Sequence, residues 1–281
     1  MRAMAEMAPI PDAVEVSEQE APGRDGGPPV QVLVFKPDRS TQAKPAILHI
    51  HGGGYVVGSA QLYRPQLASL AAQLGAVIVS VNYRLAPETV FPGAVEDCYA
   101  ALAWLSDQAE ALGVDPDRIV VSGESAGGGL AASLAILARD RGEFRLAGQV
   151  LTFPMLDDRT GSSRDLGPLA GEFVWTAASN RMGWEALLGH PPGTDGVSPY
   201  AAAARCEDLA NLPPAFIAVG ALDLFLEENL DYARRLARAG VPIEVKVYPG
   251  AVHGFVLLEG ALLAQLYARD RQVALERFFA T

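Results

Sequence analysis

Short apolar runs alternate with longer amphipathic stretches along this chain, and that alternation sets the first expectation. Near-continuous β-branched and aliphatic runs predict strands at 30–36, 46–50, 76–82, 118–122, 148–153, 215–220 and 243–248. The run Ala76-Val77-Ile78-Val79-Ser80-Val81 shows the reason: a strand covered on both faces has little polar side to display. Helical spacing marks 62–74, 94–112, 126–139, 227–239 and 261–279. In 227–239, Leu230, Ala233, Leu236 and Ala237 share one face, and Gly240 stands where a helix stops. Glu227, Glu228 and Asp231 then read as the acidic first turns and solvated face of that helix. Strand–helix alternation predicts an α/β fold, with a mostly parallel sheet and helices on both faces. Sheets of that kind place their sites at the carboxyl ends of the strands.

Two stretches break the rhythm. Residues 1–29 form a short lead of small and polar residues, expected to be irregular through the turn Gly23-Arg24-Asp25-Gly26-Gly27. Residues 156–212 separate the strand at 148–153 from the one at 215–220, and hold Phe173, Trp175, Trp184 and the breaker Pro191-Pro192-Gly193. An insertion there predicts a small cap or lid over the carboxyl edge. The plainer alternative is a peripheral decoration with its own aromatic core. Residues 30–281 otherwise read as one domain, a size that buries a full core.

Composition narrows the partners. The net charge of −11 repels phosphate backbones and anionic bilayers, so neither nucleic acid nor a membrane is an expected partner. No apolar run approaches the ~20 residues of a membrane span. The start of the chain lacks the basic and apolar regions of a signal peptide. Cys98 and Cys206 are far apart and lack CxxC spacing, which suits free thiols and a cytoplasmic location.

Two glycine-rich segments carry the chemistry. His51-Gly52-Gly53-Gly54-Tyr55 follows the run at 46–50, and its amides can face a negative oxygen. Gly123-Glu124-Ser125-Ala126-Gly127 follows the run at 118–122, and sets a serine on a sharp strand-to-helix turn. A serine hydroxyl is a poor nucleophile until a base takes its proton and a third group orients that base. Among His49, His51, His190 and His253, only His253 heads a loop after a strand and beyond the serine. Asp223 follows the strand at 215–220, so the candidate triad runs Ser125, Asp223, His253. The amides of Gly52, Gly53 and Ala126 are the expected oxyanion donors.

These motifs resemble the hormone-sensitive-lipase-like branch of α/β-hydrolase esterases. The resemblance rests on the glycine loop, Tyr83-Arg84-Leu85-Ala86-Pro87-Glu88, Phe91-Pro92-Gly93-Ala94, Ser125-Ala126-Gly127-Gly128 and His253-Gly254-Phe255. Ser198-Pro199-Tyr200-Ala201 and Leu212-Pro213-Pro214-Ala215 extend it, so that it spans roughly 30 to 279. It implies an α/β-hydrolase fold, a serine carboxylesterase acting on small esters of short to medium acyl chain, and no cofactor. A homodimer through the C-terminal strand and helix is implied in the same way. Two departures stand out: Glu124 occupies a position often held by Asp, and the lead is shorter than the branch's N-terminal helical cap, which implies a more open acyl site. Tyr55, Glu124, Phe173, Trp175 and Phe255 are the candidate pocket residues.

The rival readings are a non-catalytic ligand receptor on the same scaffold, an amidase or acyl-peptidase, and a long-chain lipase. The presence of His253 favours the enzyme over the receptor. His49 and His51 share a strand face but have no third ligand nearby, so no metal site is expected. His51 is expected to brace the glycine loop, His190 to lie at the surface, Cys98 to pack inside its helix and Glu88 to support its loop by hydrogen bonds. Tyr55 either lines the pocket or covers the glycine loop.

Overall fold

The computed structural model describes residues 11–37, 43–162, 169–258 and 260–280. Its strands are β1 (Val14–Ala21), β2 (Val30–Pro37), β3 (Lys44–Ile50), β4 (Val77–Val81), β5 (Val114–Glu124), β6 (Gly148–Thr152), β7 (Ala215–Gly220) and β8 (Ile243–Tyr248). They form one sheet in the order β1-β2-β4-β3-β5-β6-β7-β8. β2 runs antiparallel to both β1 and β4, and the remaining pairs are parallel. Parallel neighbours need crossovers, and the helices supply them. These are α1 (Arg64–Leu74), α2 (Gly93–Asp107), α3 (Ala109–Leu112), α4 (Ala126–Arg141), α5 (Ala177–Leu188), α6 (Leu226–Arg238) and α7 (Leu262–Phe279).

The pleat divides the core in two. Leu48, Val79, Val121, Leu151 and Ile217 face α2, α4 and α6. Ile47, Ile78, Val120, Val150 and Phe216 face α1 and α7. Strands buried on both sides read as unbroken apolar runs, and the central ones do.

Four expectations change. The lead is not irregular throughout: 14–21 is a strand in full antiparallel register with β2, Val14 opposite Pro37 and Ala21 opposite Val30. It was hidden because an edge strand of Ser17-Glu18-Gln19-Glu20 has no apolar alternation to display. Residues 1–10 of the lead lie outside the described residues. The helix expected at 94–112 is two helices, because Gln108 leaves helical geometry at φ −92 and ψ 8. The buried face of α6 is Glu228, Asn229, Tyr232, Ala233 and Leu236, with Leu230 39% exposed. That rotation also buries Glu228, which was expected on the solvated face.

The stretch 156–212 carries α5, a 3-10 turn at Ala203–Arg205 and irregular chain. Thr176 caps α5, its hydroxyl accepting the Ser179 amide at 3.2 Å. Trp184 of α5 is fully buried and packs on Tyr55, ring centroids 5.3 Å apart, so the insertion is seated directly on the glycine loop.

Candidate active site

Ser125 sits between the last residue of β5 and the first of α4, at φ 56 and ψ −120. A non-glycine residue held at positive φ is strained and persists only where its surroundings impose it. The surroundings here are crowded backbone. A Cβ on Gly127 would lie 2.1 Å from the Ile50 carbonyl oxygen, and one on Gly123 would lie 2.2 Å from that of Gly127. The Ser125 amide donates to the Thr152 carbonyl at 2.9 Å, and the Ser125 carbonyl accepts the Gly129 and Met155 amides at 3.0 Å each.

Asp223 lies just beyond β7 and His253 just beyond β8, so adjacent parallel strands deliver both to the same edge. His253 Nδ1 is 2.9 Å from Asp223 Oδ2, and its Nε2 is 2.9 Å from Ser125 Oγ. Nδ1–H donates to the carboxylate, which leaves Nε2 to accept the serine proton. The other Asp223 oxygen accepts the Phe225 amide at 3.0 Å. The rings of Phe153 and Phe225 meet the imidazole edge-on at 4.7 and 5.2 Å, which fixes its plane. All three side chains are nearly enclosed: Asp223 0%, His253 6% and Ser125 7% exposed.

The glycine loop differs in one respect from the expected donor set. The Gly52 amide already donates to the Tyr63 hydroxyl at 3.2 Å. Gly53, Gly54 and Ala126 have no amide acceptor among the described residues. Sequence alone conceals this because Tyr63 belongs to the turn leading into α1. His51 braces the loop: Nδ1–H donates to the Gly52 carbonyl at 2.9 Å, and the ring stacks on Tyr83 at 4.2 Å. Burial pushes the His51 imidazole down to about 4, so it is neutral near pH 7.

The candidate pocket residues separate. Trp175 is in place: its indole stands so close to Gly54 that a Cβ there would meet it at 2.1 Å, and its ring lies 6.4 Å from that of His253. The indole N–H donates to Asn180 Oδ1 at 3.1 Å, and Asn180 in turn holds the Thr160 carbonyl at 2.8 Å. Phe173 points outward and is 54% exposed. Phe255 packs behind His253 among Phe153, Tyr248 and Tyr267 as core. Tyr55 is also core, its hydroxyl donating to the Met155 carbonyl at 3.2 Å. Glu88 is exposed and makes no side-chain hydrogen bond with a described residue, and His190 is at the surface. Among the described residues no group of three or more His, Cys, Asp or Glu is placed to hold a metal ion, and no helix is long and apolar enough to cross a membrane.

Two buried carboxylates flank the site. Glu124 accepts from His49 Nε2 at 3.0 Å, and His49 Nδ1 meets the Ser80 hydroxyl at 2.8 Å. Burial alone raises the Glu124 carboxyl, but the His49 imidazole, together with the charges of Arg271 and His51, outweighs it and holds the group below the usual range. Glu228, in the first turn of α6, accepts the Leu156 amide at 2.6 Å, while Asn229 donates to the Pro154 carbonyl at 2.8 Å. Burial pushes the Glu228 carboxyl well up, and the hydrogen bonds from Thr160 and the Leu156 amide offset it only in part. The helix that follows Asp223 thereby grips the 154–156 segment, whose Met155 amide holds the Ser125 carbonyl.

Comparison with known proteins supplies the family. Residues 47–257 match the family model described as alpha/beta hydrolase fold. The chain is 36% identical over 263 residues to carboxylesterase NlhH of Mycobacterium tuberculosis, covering 92% of this chain and 81% of that one. It is 34% identical over 258 residues to an ethyl acetate hydrolase of Pseudomonas putida, covering 90% and 79%. A solved structure titled bacterial heroin esterase aligns with a TM-score of 0.94 at 40% identity, covering 99% of this chain and 88% of that one. Identity of that depth across nearly the whole chain makes it a member of the α/β-hydrolase fold family, on its hormone-sensitive-lipase-like branch of esterases.

Proposed function

We propose that this protein is a serine carboxylesterase that cleaves small esters of short to medium acyl chain through an acyl-enzyme at Ser125. His253 takes the Ser125 proton as Oγ attacks the ester carbonyl, and returns it to the departing alcohol. Asp223 holds the imidazole in the tautomer that can accept. The Gly53, Gly54 and Ala126 amides receive the oxyanion, Gly54 taking the place first expected of Gly52. Water, activated by the same imidazole, then releases the acid. Trp175 walls the space between the glycine loop and His253, which supports a preference for compact substrates. The two free, buried cysteines support a reducing compartment such as the cytoplasm.

The observation that carries this reading is the His253 bridge, 2.9 Å to the nucleophile on one side and 2.9 Å to the acid on the other. Turnover of p-nitrophenyl esters from acetate to palmitate tests it. The expected profile peaks at the short end, with anilides of the same acids cleaved far more slowly. A peak at palmitate, or anilide turnover equal to that of the esters, would overturn it.

A further inference from the structure

On the sheet face that packs against α1 and α7, the mid-strand residues are apolar: Ile47, Ile78, Val120 and Val150. One pleat further toward the carboxyl edge the same face turns polar. Ser80, His49 and Ser122 stand in one row across β4, β3 and β5, with Glu124 and Thr152 paired in the next. All five are buried. Burying a carboxylate and an imidazole gains little stability over apolar packing, so their location at the strand ends bears on what they do.

Glu124 immediately precedes the nucleophile. His49 lies two residues before the glycine loop's His51 and three before Gly52. Its ring also contacts that of Tyr63, centroids 5.0 Å apart. Tyr63 closes the circuit by accepting the Gly52 amide at 3.2 Å. Gly52 itself is pressed against the nucleophile turn, since a Cβ there would lie 2.9 Å from the Glu124 carbonyl oxygen, 3.3 Å from the Tyr63 hydroxyl and 3.4 Å from Ser125 Cβ.

We infer that Glu124, His49 and Tyr63 are positioning residues: by hydrogen bond and ring contact they clamp the glycine loop to the nucleophile turn, and so fix the oxyanion donors relative to Ser125 Oγ. Ser80 anchors the far side of the His49 ring. This account rests on the esterase reading and assigns Glu124 a role behind the pocket, not within it. A clamp of this kind acts on the transition state more than on substrate binding, because an oxyanion forms only during the reaction.

Tyr63→Phe, Glu124→Ala and Glu124→Gln test it, with kcat, KM, melting temperature and the rate of phosphonylation by a p-nitrophenyl alkylphosphonate as readouts. Tyr63→Phe removes one oxygen. It is expected to lower kcat and the phosphonylation rate together by about tenfold, with KM and melting temperature little changed. Glu124→Ala is expected to lower kcat by roughly 10- to 100-fold, and Glu124→Gln, which keeps an acceptor for His49, to recover most of that loss. Full kcat in Tyr63→Phe, or a Glu124→Ala loss that Gln does not rescue, would overturn the clamp. Failure of the wild-type protein to react with the phosphonate would instead defeat the esterase reading.

Discussion

Two sets of serine, histidine and acid coexist at the carboxyl edge of this one sheet. In one, His253 joins Ser125 and Asp223 at 2.9 Å on each side; in the other, His49 joins Ser80 and Glu124 at 2.8 and 3.0 Å. By distance they are nearly the same. They differ in where the backbone puts the serine. Ser125 is held at positive φ, at the start of a helix and beside amides that have no acceptor among the described residues. Ser80 is an ordinary residue of β4, 0% exposed, with its strand paired on both sides. Hydrogen-bond distances alone therefore do not make a nucleophile. On the proposed reading access, a strained turn and unpaired donors do, and among the described residues it is the first of these two sets that has them.

The largest effect should separate the two sets. Ser125→Ala and His253→Ala are each expected to lower kcat by about three decades or more, whereas Ser80→Ala should cost less than about tenfold. Comparable losses at Ser80 and Ser125 in a steady-state assay would erase the distinction.

His51 sharpens it next, as a buried imidazole whose hydrogen bond goes to a backbone carbonyl and not to an acid. Its folded value of about 4 lies below the ordinary 6.5, so the unfolded chain binds the proton first. Its contribution is therefore complete above pH 6.5 and is lost as pH falls toward 4, worth roughly 3 kcal/mol in full. Urea unfolding between pH 7 and 4 is expected to lose stability more gently in His51→Gln than in the wild type. Parallel curves would contradict the burial argument.

A smaller effect tests the proposed substrate space beside the first set. Trp175→Ala is expected to shift the ratio of octanoate to acetate turnover upward by about tenfold, because the indole fills the space beside Gly54 and His253. An unchanged ratio in a p-nitrophenyl ester series would remove Trp175 from the pocket wall. Glu228 supplies the last contrast, a buried carboxylate held by hydroxyl and amide hydrogen bonds. Its raised value means the folded chain keeps the proton longer, so stability declines as pH rises above the ordinary carboxylate range. Glu228→Gln keeps an acceptor for the Leu156 amide and should flatten that decline in thermal melts from pH 5 to 8.

The parallel strands and the loops after them were legible because buried strands have no polar face to confuse the pattern, and because glycine and serine at strand ends have few other reasons to be there. What stayed hidden depends on contacts between distant segments. The edge strand β1 reads as polar chain until β2 pairs with it. Glu228 looks like a helix-start acid facing water until the 154–156 segment packs over it. Gly52 looks like a free donor until Tyr63 takes its amide. Phe173 and Phe255 are alike as aromatics in a list of pocket candidates, yet one faces solvent and the other fills the core. Glu124 could be singled out from sequence, but its partner could not, since His49 reaches it diagonally from the neighbouring strand β3.

The most direct measurement is site mapping after reaction with an organophosphate. One adduct per chain is expected, on Ser125, with none on Ser80 and none at all in the His253→Ala variant. An unmodified protein, or an adduct on any other serine, would contradict the account.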